Sequence, residues 1–406
     1  MKYDNETKSI NEIIGVFQVI REPGFLSEGP YKSFGMGDWN ITIIGINNIS
    51  KFQILLEKLF FLNKEISETW TLKKFEEDFI DLIRKLKYEE RVCTVGDLES
   101  LYNILLEKDV KESEILYEFY GASLKQESII FGDFCIYNYD LSINTLIEKY
   151  PHLNNTDFYF YHKTSNLLLG IKVKARENNK AIELADKLCE TFENVFSYMI
   201  SDLKHEKTVG VFNFRGWHTT AAVVCNNHSM GWQGRSNISI PVNIEDPFFK
   251  DQSQGNDKVW SLITKNNKTE IEKRLLNSIE WIGKAIYDVD MSKSVVQFVF
   301  ALEGMLQFND KGFITPSIVS QLSDWLAFII HDDINKRKDI AKYVKDLYQK
   351  RSAIAHGGTK TIDIQDLQMA KQISNHMIIS FLTVKPFCEI ETMADLYKYM
   401  TDLKFK

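Results

Sequence analysis

Cysteine is scarce in this chain and its few residues are scattered. The 406 residues include only Cys93, Cys135, Cys189, Cys225 and Cys388, and no two of these stand close enough to form a Cys-x-x-Cys motif. An odd and dispersed set argues against a disulfide framework and against a cysteine zinc site. It favours a reducing compartment, so we expect a cytoplasmic protein.

Long apolar runs are also lacking. No stretch approaches 18 consecutive apolar residues, so we expect no transmembrane helix and no membrane partner. The first residues, MKYDNETKSINEI, are polar and lack the apolar core of a secretion signal. With 7 prolines and 20 glycines, the composition excludes a fibrous or largely disordered chain.

Several familiar catalytic motifs are missing as well. The sequence contains no G-x4-GK[ST], G-x-G-x-x-G or G-x-S-x-G string, which speaks against the usual nucleotide sites and against a hydrolase serine elbow. Its histidines show no metal-ligand spacing, so we expect no metal and no cofactor. The glycine-rich segment 29–37, GPYKSFGMG, has the wrong spacing for phosphate binding and predicts a loop.

What the chain does contain is typical of a globular protein. Apolar residues make up 44% and charged residues 26%, which is enough to build a substantial core. The length predicts two or three domains. A net charge of −7 argues against a protein coated in nucleic acid, although a local basic site is compatible with it.

Residues 1–250 mix strand and helix patterns and predict an α+β region, which we divide provisionally at a seam near Pro151. The predicted strands cover 15–20, 40–46, 128–139 and 166–175, with a strand-and-turn region over 208–244. The predicted helices cover 49–65, 72–88, 97–107 and 180–203.

Residues 251–406 predict an all-α domain. Helical periodicity covers 268–289, 292–308, 316–331, 334–356 and 364–384, and the short connections between these segments favour a bundle. Helix-terminal signals agree with the periodicity: Thr315 with Pro316 and Asp333 begin two helices, and Gly357-Gly358 and Pro386 follow the ends of two others.

The fourth of these helices carries a candidate site. Arg351 and His356 are separated by four residues and adjoin a glycine pair. Residues 334–360 contain eight lysines and arginines against two aspartates, a net charge of +6 in an acidic protein. Such a segment would attract a phosphate backbone. The alternative is an ordinary solvated helix face.

Glu303 on the second of these helices is the candidate partner of Arg351. At helical spacing it shares an apolar face with Val296, Val299, Phe300 and Leu306. A carboxylate on such a face needs a partner, because burial of an unpaired charge is costly. The alternative is that Glu303 lies at a helix edge and reaches water.

From about residue 269 onward the chain resembles the Apea-like branch of the HEPN superfamily. A helix with ALEGML precedes a helix with Tyr348, Arg351, Ser352, His356 and Gly357 in the family's Tyr-x-x-Arg-Ser-x-x-x-His-Gly pattern. The resemblance implies a HEPN-like bundle with Arg351 and His356 as catalytic residues. Ser352 stands where well-studied members often have asparagine. Supporting roles fall to Ser352, Glu303 and Tyr348, and the expected RNA contacts are Lys336, Arg337, Lys345 and Lys350.

The residue types suit RNA cleavage without a metal. The RNA's own 2′-OH attacks phosphorus, a histidine with an ordinary pKa of about 6.5 transfers protons, and an arginine stabilises the charged phosphorane. The resemblance further implies a 2′,3′-cyclic phosphate product, a homodimer with a shared cleft, and a toxin-like role in anti-phage or stress defence. On this hypothesis the N-terminal region senses a phage or cellular trigger. The alternative is a non-catalytic module that only binds RNA or dimerises.

Overall fold

The computed structural model describes residues 3–20, 29–35, 40–151, 153, 165–214, 219–225, 230–236, 240–308, 317–358 and 361–404. Contacts divide the chain into two compact units, Met1–Glu114 with Lys172–Ala185, and Ile115–Ile171 with Asp186–Lys406. The predicted boundaries near 151 and 250 do not coincide with the cuts of this division, and they stay predictions.

The described residues of the first unit form five helices and a small sheet before Lys111. Its helices are α1 (Asp4–Val16), α2 (Ile46–Leu62), α3 (Lys64–Thr69), α4 (Leu72–Tyr88) and α5 (Val95–Glu107). Its strands are β1 (Phe17–Ile20), β2 (Tyr31–Phe34) and β3 (Asn40–Ile44), with β3 central and antiparallel to both neighbours.

Three predictions in this unit are wrong in detail. The strand over 15–20 begins only at Phe17, because Gly15 and Val16 end the unpredicted helix α1. The prediction of a loop over 29–37 is wrong at Tyr31–Phe34, because these residues form β2 and pair with β3. The helix over 49–65 divides at Asn63, whose side chain accepts from the Ile66 amide at 3.2 Å and starts α3.

A four-stranded sheet and a long helix lie in the middle of the chain. The elements are β4 (Lys111–Phe119), β5 (Ala122–Ser123), β6 (Ser128–Phe131), β7 (Phe134–Asn138), α6 (Tyr139–Lys149), β8 (Leu167–Ala175) and α7 (Asn178–Ile200), and the sheet order is β4-β8-β7-β6. The single strand predicted over 128–139 is a hairpin. It turns at Gly132, whose φ of +56° suits glycine, and it pairs Phe131 with Phe134.

Short strands precede the helical part of the second unit. Strands β9 (Thr219–Cys225) and β10 (Met230–Ser236) pair antiparallel, and β11 (Val242–Asn243) pairs parallel with β5. No described residue after Asn243 belongs to a strand. An aromatic core joins β6, α7 and residues 256–264. The ring centroid of Trp260 lies 5.0 Å from that of Phe196 and 5.0 Å from that of Phe131.

The C-terminal half is helical, as predicted. Its helices are α8 (Asn256–Thr264), α9 (Glu270–Tyr287), α10 (Met291–Leu306), α11 (Ile318–Ile330), α12 (Ile334–Ala355), α13 (Ile364–Thr383) and α14 (Met393–Lys404). Helices α9 to α13 correspond to the predicted five, whereas α8 and α14 were not predicted. Helix α10 packs against α9, α12 and α13. The HEPN-like identity of this arrangement stays a prediction.

Side-chain caps begin the helices that position the site. The Asp333 side chain accepts from the Asn335 and Lys336 amides at 3.0 Å each, which confirms it as the cap of α12. Helix α11 starts later than predicted, with Ser317 as its cap. Thr315 and Pro316, the predicted start signal, lie outside the described residues. None of the described helices is both long enough and apolar enough to cross a membrane.

Candidate functional site

Helix α12 ends in a glycine cap that fixes the position of His356. The Gly357 amide donates to the Ile354 carbonyl at 3.1 Å, and the Gly358 amide donates to the Ala353 carbonyl at 2.7 Å. Gly357 has φ +74°, the left-handed conformation that this helix ending requires. The predicted glycine stop is confirmed, and His356 is the exposed last residue before it.

Arg351 lies against α10 and pairs with Glu303. Its Nη2 is 3.2 Å from Glu303 Oε2, and the two side chains are 23% and 12% exposed. The predicted pairing is therefore confirmed. The guanidinium carbon also lies 5.2 Å from the Phe300 ring centroid, so the arginine is held by charge and by an aromatic face together.

Tyr348 completes this cluster. Its ring centroid is 5.5 Å from the Arg351 guanidinium carbon. Burial raises the pKa of the Tyr348 hydroxyl, and so do the charge of Glu303 and a hydrogen bond to it, although Arg351 opposes the shift. The hydroxyl therefore stays protonated beside the Glu303 carboxylate, whose ion pair is with Arg351.

His356 does not belong to this cluster. Five residues of α-helix rotate a side chain by about 140°, so His356 projects from a different side of α12 than Arg351. Its side chain is exposed, and within the described part of the chain no hydrogen bond or ion pair attaches it to another residue. Ser352 is half-buried between them in sequence, and its carbonyl accepts from the His356 amide at 3.1 Å.

Two of the residues predicted to contact RNA, Arg337 and Lys350, instead interact with other residues of the protein. Arg337 donates from Nε to the His331 carbonyl at 2.7 Å, and its guanidinium lies 4.4 Å from the Phe328 ring centroid. Both interactions hold it at the base of α12. As an RNA contact, Arg337 stays a prediction.

Lys350 is the second occupied residue. Its Nζ pairs with Asp366 and, at 3.1 Å, with Asp346. Burial alone would lower the pKa of Lys350, but the hydrogen bonds to the two aspartates outweigh it and raise the pKa. Lys350 therefore joins α12 to the start of α13, and its predicted RNA contact is untested.

The other basic residues of α12 project into solvent. Lys336 and Lys345, both predicted as RNA contacts, are exposed, and so are Lys338 and Lys342. Lys338 and Lys342 contribute to the +6 charge of residues 334–360, but they were not among the predicted RNA contacts. Their spacing of four and then three residues to Lys345 was the signal that could have identified them.

A deeply buried carboxylate outside this site is Glu193 on α7, which is 1% exposed. Its Oε1 accepts from the amides of Val211, of Phe212 at 2.7 Å and of Asn213 at 3.2 Å. Burial raises the pKa of Glu193 although these amides oppose the shift. The contacts anchor residues 211–213 to α7, and this role is structural.

Two grooves lie away from Arg351. A groove of about 240 Å³ lined by α8, α9 and α13 contains none of the predicted site residues, and neither does one of about 290 Å³ between α1 and α2. The described ranges contain no group of three or more His, Cys, Asp or Glu side chains arranged to hold a metal ion.

No protein-family model, no curated protein and no solved structure matches this chain. The resemblance to the HEPN superfamily therefore stays a prediction based on the residues of α10 and α12.

Proposed function

We propose that the chain is a metal-independent endoribonuclease that cleaves RNA through attack by the 2′-OH on the adjacent phosphorus. The observation that carries the proposal is the end of α12, where a glycine cap leaves the imidazole of His356 exposed while Arg351 is fixed by Glu303. An accessible imidazole suits proton transfer at neutral pH.

Arg351 would supply charge to the transition state. A guanidinium has five N–H donors, and among the described residues only Nη2 of Arg351 is engaged with Glu303. Nη1 has no hydrogen-bond partner among the described residues, and we expect it to bind a phosphate oxygen while the pair with Glu303 holds the guanidinium in place. Glu303 and Tyr348 thus act as positioning residues, and Ser352 lies half-buried between Arg351 and His356.

A second copy of the chain would complete the chemistry. Cleavage needs one group to accept the 2′-OH proton and another to donate a proton to the leaving 5′-oxygen. A single α12 offers one imidazole, whereas a two-fold arrangement offers two. The proposal therefore includes a homodimer with both His356 side chains at one cleft. The N-terminal region then senses the trigger in anti-phage or stress defence, a context that rests on the resemblance alone.

One observation favours the second candidate, a non-catalytic RNA-binding or dimerisation module. Arg351 is turned towards Glu303 while His356 projects from another side of the same helix, so the two do not form a preassembled pair within one chain. A module of this kind would keep the Arg351–Glu303 contact for stability alone.

Cleavage by the purified full-length protein separates the two candidates. Wild type should cleave RNA in excess EDTA, and His356→Ala should lower the rate by about 100-fold or more. The matched control is His376→Ala, because His376 is an exposed histidine on α13, and it should cleave as wild type does. RNA binding without cleavage would favour the module. Loss of cleavage in EDTA with recovery on added Mn²⁺ would overturn the metal-free reaction.

A further inference from the structure

The exposed side of α12 carries a straight row of charge. Lys338, Lys342 and Lys345 follow at intervals of four and three residues, and the same spacing continues through position 349 to Ser352 and His356. On an α-helix these intervals keep side chains within about 40° of one line. All three lysines are exposed, and the row ends at the exposed imidazole of His356.

These lysines differ from two other cations of the helix, Arg337 and Lys350. Arg337 and Lys350 are engaged with His331, Asp346 and Asp366, whereas no described residue pairs with Lys338, Lys342 or Lys345. Asp346, the nearest acid in sequence to Lys345, is 3.1 Å from Lys350 and is partly neutralised by it. The row therefore presents three positive charges that no ion pair within the described residues neutralises, in a protein of net charge −7.

We propose that this row, Lys338–Lys342–Lys345, binds the phosphate backbone of single-stranded RNA and leads the strand along α12 to His356. The identity of the polyanion as RNA rests on the proposed function. The rise from Lys338 to His356 is about 27 Å, enough for several nucleotides. A flexible single strand can align its successive phosphates with a straight row of lysines. A lipid surface fits less well, because the row contains no apolar residue that would insert into it.

Salt-dependent binding tests the row. The full-length parent protein carries His356→Ala, so that the RNA is not cleaved during the measurement. We would measure its affinity for a fluorescent unstructured RNA over a range of salt concentrations. The test variant adds Lys338→Gln, Lys342→Gln and Lys345→Gln. The charge-matched control adds Lys273→Gln, Lys293→Gln and Lys398→Gln, which are exposed lysines on α9, α10 and α14.

In a plot of log affinity against log salt concentration the slope is negative. Its magnitude should be smaller by about 2 in the row variant, because each lost phosphate contact on a single strand removes roughly 0.7. The control should keep the slope of its parent. Equal slopes for the row variant and its parent, or equal losses in both triple variants, would overturn the proposal. So would tighter binding to anionic lipid vesicles or to duplex DNA than to the RNA.

The readout is independent of catalysis. If the slope changes as expected but wild type cleaves no RNA, the row binds RNA and the proposed function fails. If wild type cleaves RNA through His356 but the row variant keeps its slope, the proposed function stands and the strand follows another path.

Discussion

The contacts of Arg351 bring a structural role into competition with its proposed catalytic role. The pair with Glu303 stabilises the junction of α10 and α12, and the same pair reduces the charge available to a phosphate. Breaking a fully buried pair costs about 3–5 kcal/mol. Arg351 keeps 23% of its side chain exposed, so solvent screens part of the interaction.

We therefore expect Glu303→Ala to lower the free energy of unfolding by about 1–3 kcal/mol, because Arg351 loses the carboxylate that pairs with it. Denaturant unfolding of Glu303→Ala, Arg351→Ala and the double variant would give the coupling energy, which we expect to be about 1 kcal/mol. The control is Asp324→Ala, which removes the 40% exposed partner of Lys404 and should cost less than about 1 kcal/mol. A coupling energy near zero would show that the pair does not contribute to stability.

At the scale of the element, the cap of α12 sets the position of His356. The amides of Gly357 and Gly358 bond to the last carbonyls of the helix, and this requires the left-handed conformation at Gly357. A Cβ added at Gly357 would meet nothing within 4 Å, so a substitution there tests backbone conformation without a steric clash.

Gly357→Ala should lower stability by about 1 kcal/mol, because a residue with a Cβ disfavours the left-handed region. It should also reduce RNA cleavage, because a frayed cap no longer fixes the imidazole. Gly357→Asn is the matched control, since asparagine tolerates this conformation, and it should retain more of both properties. Full cleavage by a destabilised Gly357→Ala protein would show that the cap does not position His356.

Elements with a strong periodic pattern were predictable from the sequence. Helix α4 spans Leu72–Tyr88 as predicted, because Phe75, Phe79 and Ile83 repeat at the spacing of one buried face. Strand β4 escaped prediction because its sequence, KESEILYEF, is rich in glutamate, which is depleted in strands. Helix α1 was missed although Ile10, Ile13 and Ile14 mark its buried side.

The candidate site was predictable in its pairing but not in its orientation. The apolar face around Glu303 indicated a partner, and Arg351 is that partner. The engagement of Lys350 with Asp366 depends on how α12 meets α13, which no local pattern encodes. For the same reason the sequence did not separate the occupied cations from the exposed row of Lys338, Lys342 and Lys345.

At the scale of the whole molecule, the proposal requires two chains to share one cleft. The row of lysines would repel its copy at close range, so the cleft must keep the two rows apart or hold RNA between them. Light scattering of the purified protein at micromolar concentration should give the mass of a dimer. A monomer mass, for a preparation whose cleavage rate is first order in protein, would rule out a shared site.

The ends of the cleaved RNA test the central claim most directly. Attack by the 2′-OH must leave a 2′,3′-cyclic phosphate on one product and a 5′-hydroxyl on the other, whereas attack by water leaves other termini. Mass spectrometry of RNA cleaved by wild type in excess EDTA should therefore find the cyclic phosphate. The same RNA incubated with the His356→Ala protein instead should show no new ends above background. Products with 5′-phosphate ends, or cyclic phosphate ends formed equally by His356→Ala, would contradict the account.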